Sequence, residues 1–158
     1  MVTWQQLVPL YLAYRGARDH SDAPATEAAI ASAQGLARAT VGRDLPHELI
    51  GLWHVVAGLD FNGTLIFPPR ERPEPEFMAG LVETNTDLPA PPPYIHIGSF
   101  GDEFLSWNAA DDSYATIDAI NQHPIPSYDS FDALVDEYVG RYLVTWARKR
   151  APQLLEGL

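Results

Sequence analysis

Cysteine is absent from all 158 residues, so disulfides and thiolate metal sites are excluded and the fold must rest on packing alone, as suits a reducing compartment. Basic residues are missing from a long central stretch. Residues 73–140 hold thirteen acids and no Lys or Arg, whereas residues 1–72 hold six arginines against seven acids and residues 141–158 hold four basic residues against Glu156. The formal charge is −11. Such a centre repels phosphate backbones and anionic lipid, which argues against nucleic-acid and membrane partners and favours a basic protein; the same acids also keep a chain soluble. No apolar run approaches the roughly 20 residues that cross a bilayer, and Met1–Gln6 lacks the basic start of a secretory signal, so a cytoplasmic location is expected.

Reactive motifs are equally scarce. GxxxxGK[ST], GxGxxG and GxSxG do not occur, and the five histidines form no HxH or HxxxH spacing, so no metal and no cofactor is expected. His54 reads as a core-edge residue. His96 alternates with Ile95 and Ile97 and projects to the opposite sheet face, which makes it the one histidine that could serve a small hydrolase together with a nearby carboxylate. Ser99, in Gly98-Ser-Phe-Gly101, is the nearest serine candidate but lacks the spacing of a nucleophile elbow. Asp102-Glu103 and Asp111-Asp112 pair carboxylates as acid–base chemistry requires, yet each flanks a predicted hairpin turn and reads more simply as a loop tip. The balance is against an enzyme.

What is present is a well-punctuated globular domain. With 46% hydrophobic and 11% aromatic residues, the chain closes one core and is too short for two ordinary domains. Thr3 and Gln6 have capping-box spacing, placing a first helix from Trp4 to Gly16, with Pro9 expected to kink or delay it. Asp19 to Pro24 is a polar connector. Thr26 opens an alanine-rich helix to about Thr40, with Ile30, Ala33, Ala37 and Val41 inward. Pro46 starts a third helix through Leu49, Leu52, Trp53 and Val56, which Gly58 closes. Asn62-Gly63 then turns the chain into a strand at Leu65–Phe67.

Residues 68–76 read as a charged, proline-rich loop, Phe77 to Asn85 as a short helix, and Leu88 to Tyr94 as extended polyproline geometry entering a strand. Tyr94–Gly98, Glu103–Asn108 and Tyr114–Asp118 are strands of an antiparallel meander. After Pro126, Ser127, Asp129 or Ser130 caps a closing helix with Phe131, Leu134, Val135, Tyr138, Val139, Tyr142 and Leu143 on one face. The expected fold is α+β, with N-terminal helices and a C-terminal helix packed on one side of a mostly antiparallel sheet of four or more strands.

Four ordered segments carry a resemblance: Ala37-Arg-Ala-Thr-Val-Gly-Arg-Asp-Leu-Pro46, Gly58-Leu-Asp-Phe-Asn-Gly63, Tyr94-Ile-His-Ile-Gly98 with Gly101-Asp-Glu-Phe-Leu105, and Ser130-Phe-Asp-Ala-Leu134. Together they resemble the SUKH superfamily, and Leu-Asp-Phe-Asn-Gly is similar to its YrhA-like branch. Arg38 stands where the pattern has Glu, Val41 where it has Leu, and residues 1–24 precede the similarity. The resemblance implies a single non-catalytic domain over residues 1–158 that binds proteins. Bacterial members are mostly immunity proteins against polymorphic, contact-dependent toxins, and a fungal member regulates cell-wall synthesis. The expected partner is therefore a cognate toxin, basic and of nuclease or deaminase type, with a regulatory or scaffold role for the same fold as the alternative. Asp102, Glu103, Asp111 and Asp112 are the candidate contacts, around Trp107 as an aromatic anchor.

Overall fold

The computed structural model describes residues 1–18, 20 and 22–158. Asp19 and Ser21, within the predicted connector, lie outside the described residues. A six-stranded antiparallel sheet runs in chain order: β1 (Leu59–Phe61), β2 (Thr64–Ile66), β3 (Tyr94–Phe100), β4 (Glu103–Asn108), β5 (Ser113–Asp118) and β6 (Pro124–Tyr128). Against this open sheet pack α1 (Trp4–Gly16), α2 (Glu27–Val41), α3 (His47–Trp53), α4 (Leu81–Asp87), α5 (Phe131–Val135) and α6 (Arg141–Arg150). The α+β architecture is the expected one.

The capping box at α1 is complete: Gln6 donates its N–H to Thr3 Oγ1 and Thr3 donates its N–H to Gln6 Oε1. Pro9 lies inside the helix without delaying its start. Two carboxylates of the closing helix anchor this N-terminus, Asp132 accepting the Trp4 N–H at 2.7 Å and Asp136 the Val2 N–H at 2.8 Å. Their spacing of one helical turn matches the spacing of the groups they receive, and negative charge there suits the α1 dipole. The closing helix is interrupted: α5 passes through a π turn at Asp136–Gly140 before α6 resumes. At Gly140 a Cβ would stand only 3.3 Å from Val2, so the irregular turn lies where the chain's start presses on the helix.

Several expectations give way to tertiary contacts. The third helix stops at Trp53, whose indole N–H donates to the Phe67 carbonyl, and Val56 is buried outside the helix. Gly58 is no helix stop. It precedes β1, where a Cβ would meet the Ile66 carbonyl oxygen at 2.7 Å, so the two strand backbones require glycine. The short helix begins at Leu81 rather than Phe77, which is exposed, while Met78 bridges back to Arg72 in an antiparallel contact. The proline segment turns instead of continuing extended, with the Tyr94 N–H donating to the Pro91 carbonyl. β6 carries Pro124 and Pro126, which count against a strand in a sheet interior but are tolerated at an edge paired on one side only.

Beyond Ile66 the β2 side of β3 has no strand partner at His96. The Asn85 carboxamide takes that place, accepting the His96 N–H at 2.9 Å and donating to the His96 carbonyl at 2.8 Å. Thus α4 closes the sheet edge through a single side chain, leaving no orphaned backbone group at His96.

Candidate protein-binding surfaces

The two acidic pairs singled out from the sequence do not form one site. Asp102 lies in the β3–β4 turn and Glu103 begins β4, while Asp111 and Asp112 occupy the β4–β5 turn, so the whole of β4 separates them. Six residues of strand place the pairs about 20 Å apart, at opposite ends of the sheet. The proposed grouping of Asp102, Glu103, Asp111 and Asp112 around one Trp is thereby corrected: hairpin connections that look adjacent in sequence alternate between the two ends of a meander.

Trp107 is fully buried. It sits within β4 between Ile95 and Tyr114 on the neighbouring strands, and its indole N–H donates to Asp112 Oδ1 at 3.2 Å. Its ring belongs to the core and presents no anchor to a partner.

The acids differ in what already holds them. Asp111 accepts the Ser113 N–H and hydroxyl, and these bonds hold its carboxyl below the ordinary range. Asp112, at φ 59°, receives Trp107 and pairs with Arg43 at 3.2 Å. Asp118 accepts the N–H groups of Ile120 and Asn121, which likewise lower its pKa. Glu83 binds Arg70 and the Glu71 N–H, and burial only partly opposes their lowering of its pKa. By contrast, Asp102 and Glu103 have no side-chain hydrogen bond or ion pair among the described residues.

Around those two acids the surface is apolar. Phe100, 44% exposed, is opposite Glu103 in the ladder and packs on Tyr138 at 5.3 Å between ring centroids. Ile120, 89% exposed, follows Ala119, whose N–H donates to the Asp102 carbonyl and so ties the β5–β6 turn to the β3–β4 turn. Asp118, opposite Glu103 across β4 and β5, adds a third carboxylate. Exposed apolar side chains ringed by charge have the composition of an interface centre and rim. The sequence pointed to Asp102 and Glu103 here but not to Asp118, Phe100 or Ile120; the only signal for the last two was an apolar residue beside each turn.

The opposite end of the sheet holds an open cleft of about 800 Å³ between the α2–α3 link and the β4–β5 turn. Arg43, Asp44, Glu48, Asp112, Tyr114 and Asp129 are among its walls. Arg38 bonds Asp44 nearby and keeps its carboxyl low.

His96 is also fully buried. Its Nδ1 lies 2.7 Å from Ser106 Oγ, its ring stacks on Phe104 at 4.0 Å, and its Nε2 has no partner. Burial pushes its pKa down to about 4, so the ring is neutral at pH 7. A reaction at His96 would require the sheet to open, and its contacts are a hydroxyl, an aromatic ring and an amide rather than a carboxylate. Ser99 is half-buried on the same strand. No group of three or more His, Asp or Glu positioned to hold a metal occurs among the described residues, and none of their helices is long and apolar enough to cross a membrane.

Compared with known proteins, the chain matches no family model, and no curated protein matches it.

Proposed function

We propose that this chain is a stoichiometric inhibitor of a basic protein: an immunity protein of the SUKH kind that occludes a cognate toxin. The observation that carries the reading is the surface formed by Asp102, Glu103 and Asp118 around Phe100 and Ile120. There, two carboxylates have no side-chain partner among the described residues and two apolar side chains stand in solvent. A partner's basic groove would be steered by the acids and held by the apolar centre, so recognition and blockage follow from one contact. The residues that carry the resemblance occupy turns, a close strand approach and a helix cap. Gly63 and Gly101 adopt positive φ, Gly98 faces a neighbouring backbone, and Ser130 caps α5 through the Ala133 N–H.

A candidate toxin drawn from the reading frames neighbouring this chain's gene supplies the test. Changing Asp102→Lys together with Glu103→Lys is expected to slow association at low salt by about tenfold or more, because steering is lost, while thermal stability stays nearly constant. Association at the unaltered rate by this folded variant would remove the surface from consideration.

A further inference from the structure

We propose that the cleft at the other end of β4 receives an arginine side chain from a protein partner. This goes beyond the preceding reading, since the cleft is separated from Asp102 and Glu103 by the length of the strand.

Four carboxylates line the cleft, Asp44, Glu48, Asp112 and Asp129, against the single guanidinium of Arg43. Asp44 is engaged by Arg38, and Asp112 by Arg43. Glu48 touches only the exposed His47, at 3.5 Å, and Asp129 has no ion pair among the described residues. Two of the four carboxylates are thus without an arginine or lysine partner among the described residues.

Tyr114 supplies an independent pointer to a ligand. It is 3% exposed, paired with Trp107 across the ladder and packed on Phe131, yet its hydroxyl has no hydrogen-bond partner among the described residues. That oxygen is not among the orphaned buried atoms, so it retains contact with solvent, and the cleft is the space that Tyr114 lines. A buried phenol with an open hydroxyl needs a donor or acceptor from outside. The carboxylates of Glu48, Asp112 and Asp132 all act on it and, with burial, hold its proton firmly, so at neutral pH it is a neutral hydroxyl in a negative field.

Arg43 illustrates the chemistry that such walls accept. Its guanidinium donates to the Ala109 carbonyl, reaches Asp112 and lies 5.6 Å from the Trp107 ring centre. A second guanidinium entering beside Glu48 would find a carboxylate for its planar fork and the Tyr114 oxygen as a further acceptor, in a cleft that Asp129 also lines. An ammonium would satisfy only one direction at a time, and an anion would be repelled.

Titrating the ¹⁵N-labelled chain at pH 7.5 with an acetylated, amidated Gly-Arg-Gly peptide, followed by amide chemical shifts, tests this directly. The expected result is saturable shifts confined to Gly51, Asp112, Tyr114, Asp129 and Ser130, with a dissociation constant of about 1 mM. The matched citrulline peptide should give no such shifts. Tyr114→Phe, which keeps the ring, should weaken binding at least threefold, and Glu48→Gln with Asp129→Asn at least tenfold, each variant's fold being checked by its own spectrum. An equal response to citrulline, shifts spread over all surface acids, absence of saturation, or unchanged binding by Tyr114→Phe would each overturn the proposal. The probe contains no toxin and the readout is residue by residue, so failure here and failure at Asp102 and Glu103 are separately visible.

Discussion

Replacing Gly98 with alanine is expected to destabilise the fold by about 3 kcal/mol or more, enough to remove much of the stability of a domain this size. At Gly98 a Cβ would stand 2.3 Å from the Leu65 carbonyl oxygen and 3.3 Å from its carbon, so it collides with the backbone of β2 rather than with a side chain that could swing aside. Relief would require β2 to leave β3, and with it the Leu65–Ser99 and Ile66–Gly98 pairings. Gly101 provides the contrast within the same motif. A Cβ there meets nothing within 4 Å, but φ is +57°, so alanine should cost only about 1 kcal/mol and asparagine less. Urea unfolding of the three variants measures both effects. Equal midpoints for Gly98→Ala and Gly101→Ala would contradict the close approach of β2 and β3.

The second large effect is a loss of stability on mild acidification. His96 has its pKa lowered from 6.5 to about 4 in the folded state, because burial beside Phe104 disfavours the imidazolium. As pH falls, the unfolded chain takes the proton first. The contribution of neutral His96 is therefore complete above pH 6.5 and is lost progressively as pH drops towards 4. The span amounts to about 3 kcal/mol. The lowered carboxyls of Asp44, Glu83, Asp111 and Asp118 act in the same sense but at lower pH: their stabilisation is present above their unfolded values and is lost as pH falls through their folded ones. Their window lies at and below the ordinary carboxyl values of 3.8 to 4.5, so unfolding measured from pH 7 to pH 4.5 isolates the histidine. His96→Gln should flatten the profile over that range. A flat profile in the parent chain would mean that His96 is hydrated rather than packed.

Much of the architecture could be read from local signals. Thr3 with Gln6, Thr26 and Ser130 mark helix starts by hydroxyl caps, and β4 is bounded as expected at Glu103 and Asn108. What escaped was set by partners far along the chain. At three residues β1 is too short for an alternation to register, and β6 carries prolines that only its edge position permits. Nor does anything local stop α3 at Trp53, whose indole reaches Phe67.

The proposed binding surface was legible as charge and illegible as shape. Residues 73–140 advertise their acids, but sequence cannot distinguish Asp132 and Asp136, spent on the first backbone N–H groups, from Asp102 and Glu103, which face solvent without a partner. Trp107 was misplaced for a similar reason. In a strand buried over Phe104–Trp107 both faces are covered, so alternation carries no information about which aromatic is exposed.

Co-expression of the chain with a candidate toxin drawn from its neighbouring reading frames tests the central proposal that the chain inhibits by binding alone. The account predicts that cells survive and that a one-to-one complex purifies, with protection falling once the chain is outnumbered by toxin. Protection by far less than one equivalent, with no complex formed and the toxin chemically altered, would contradict it.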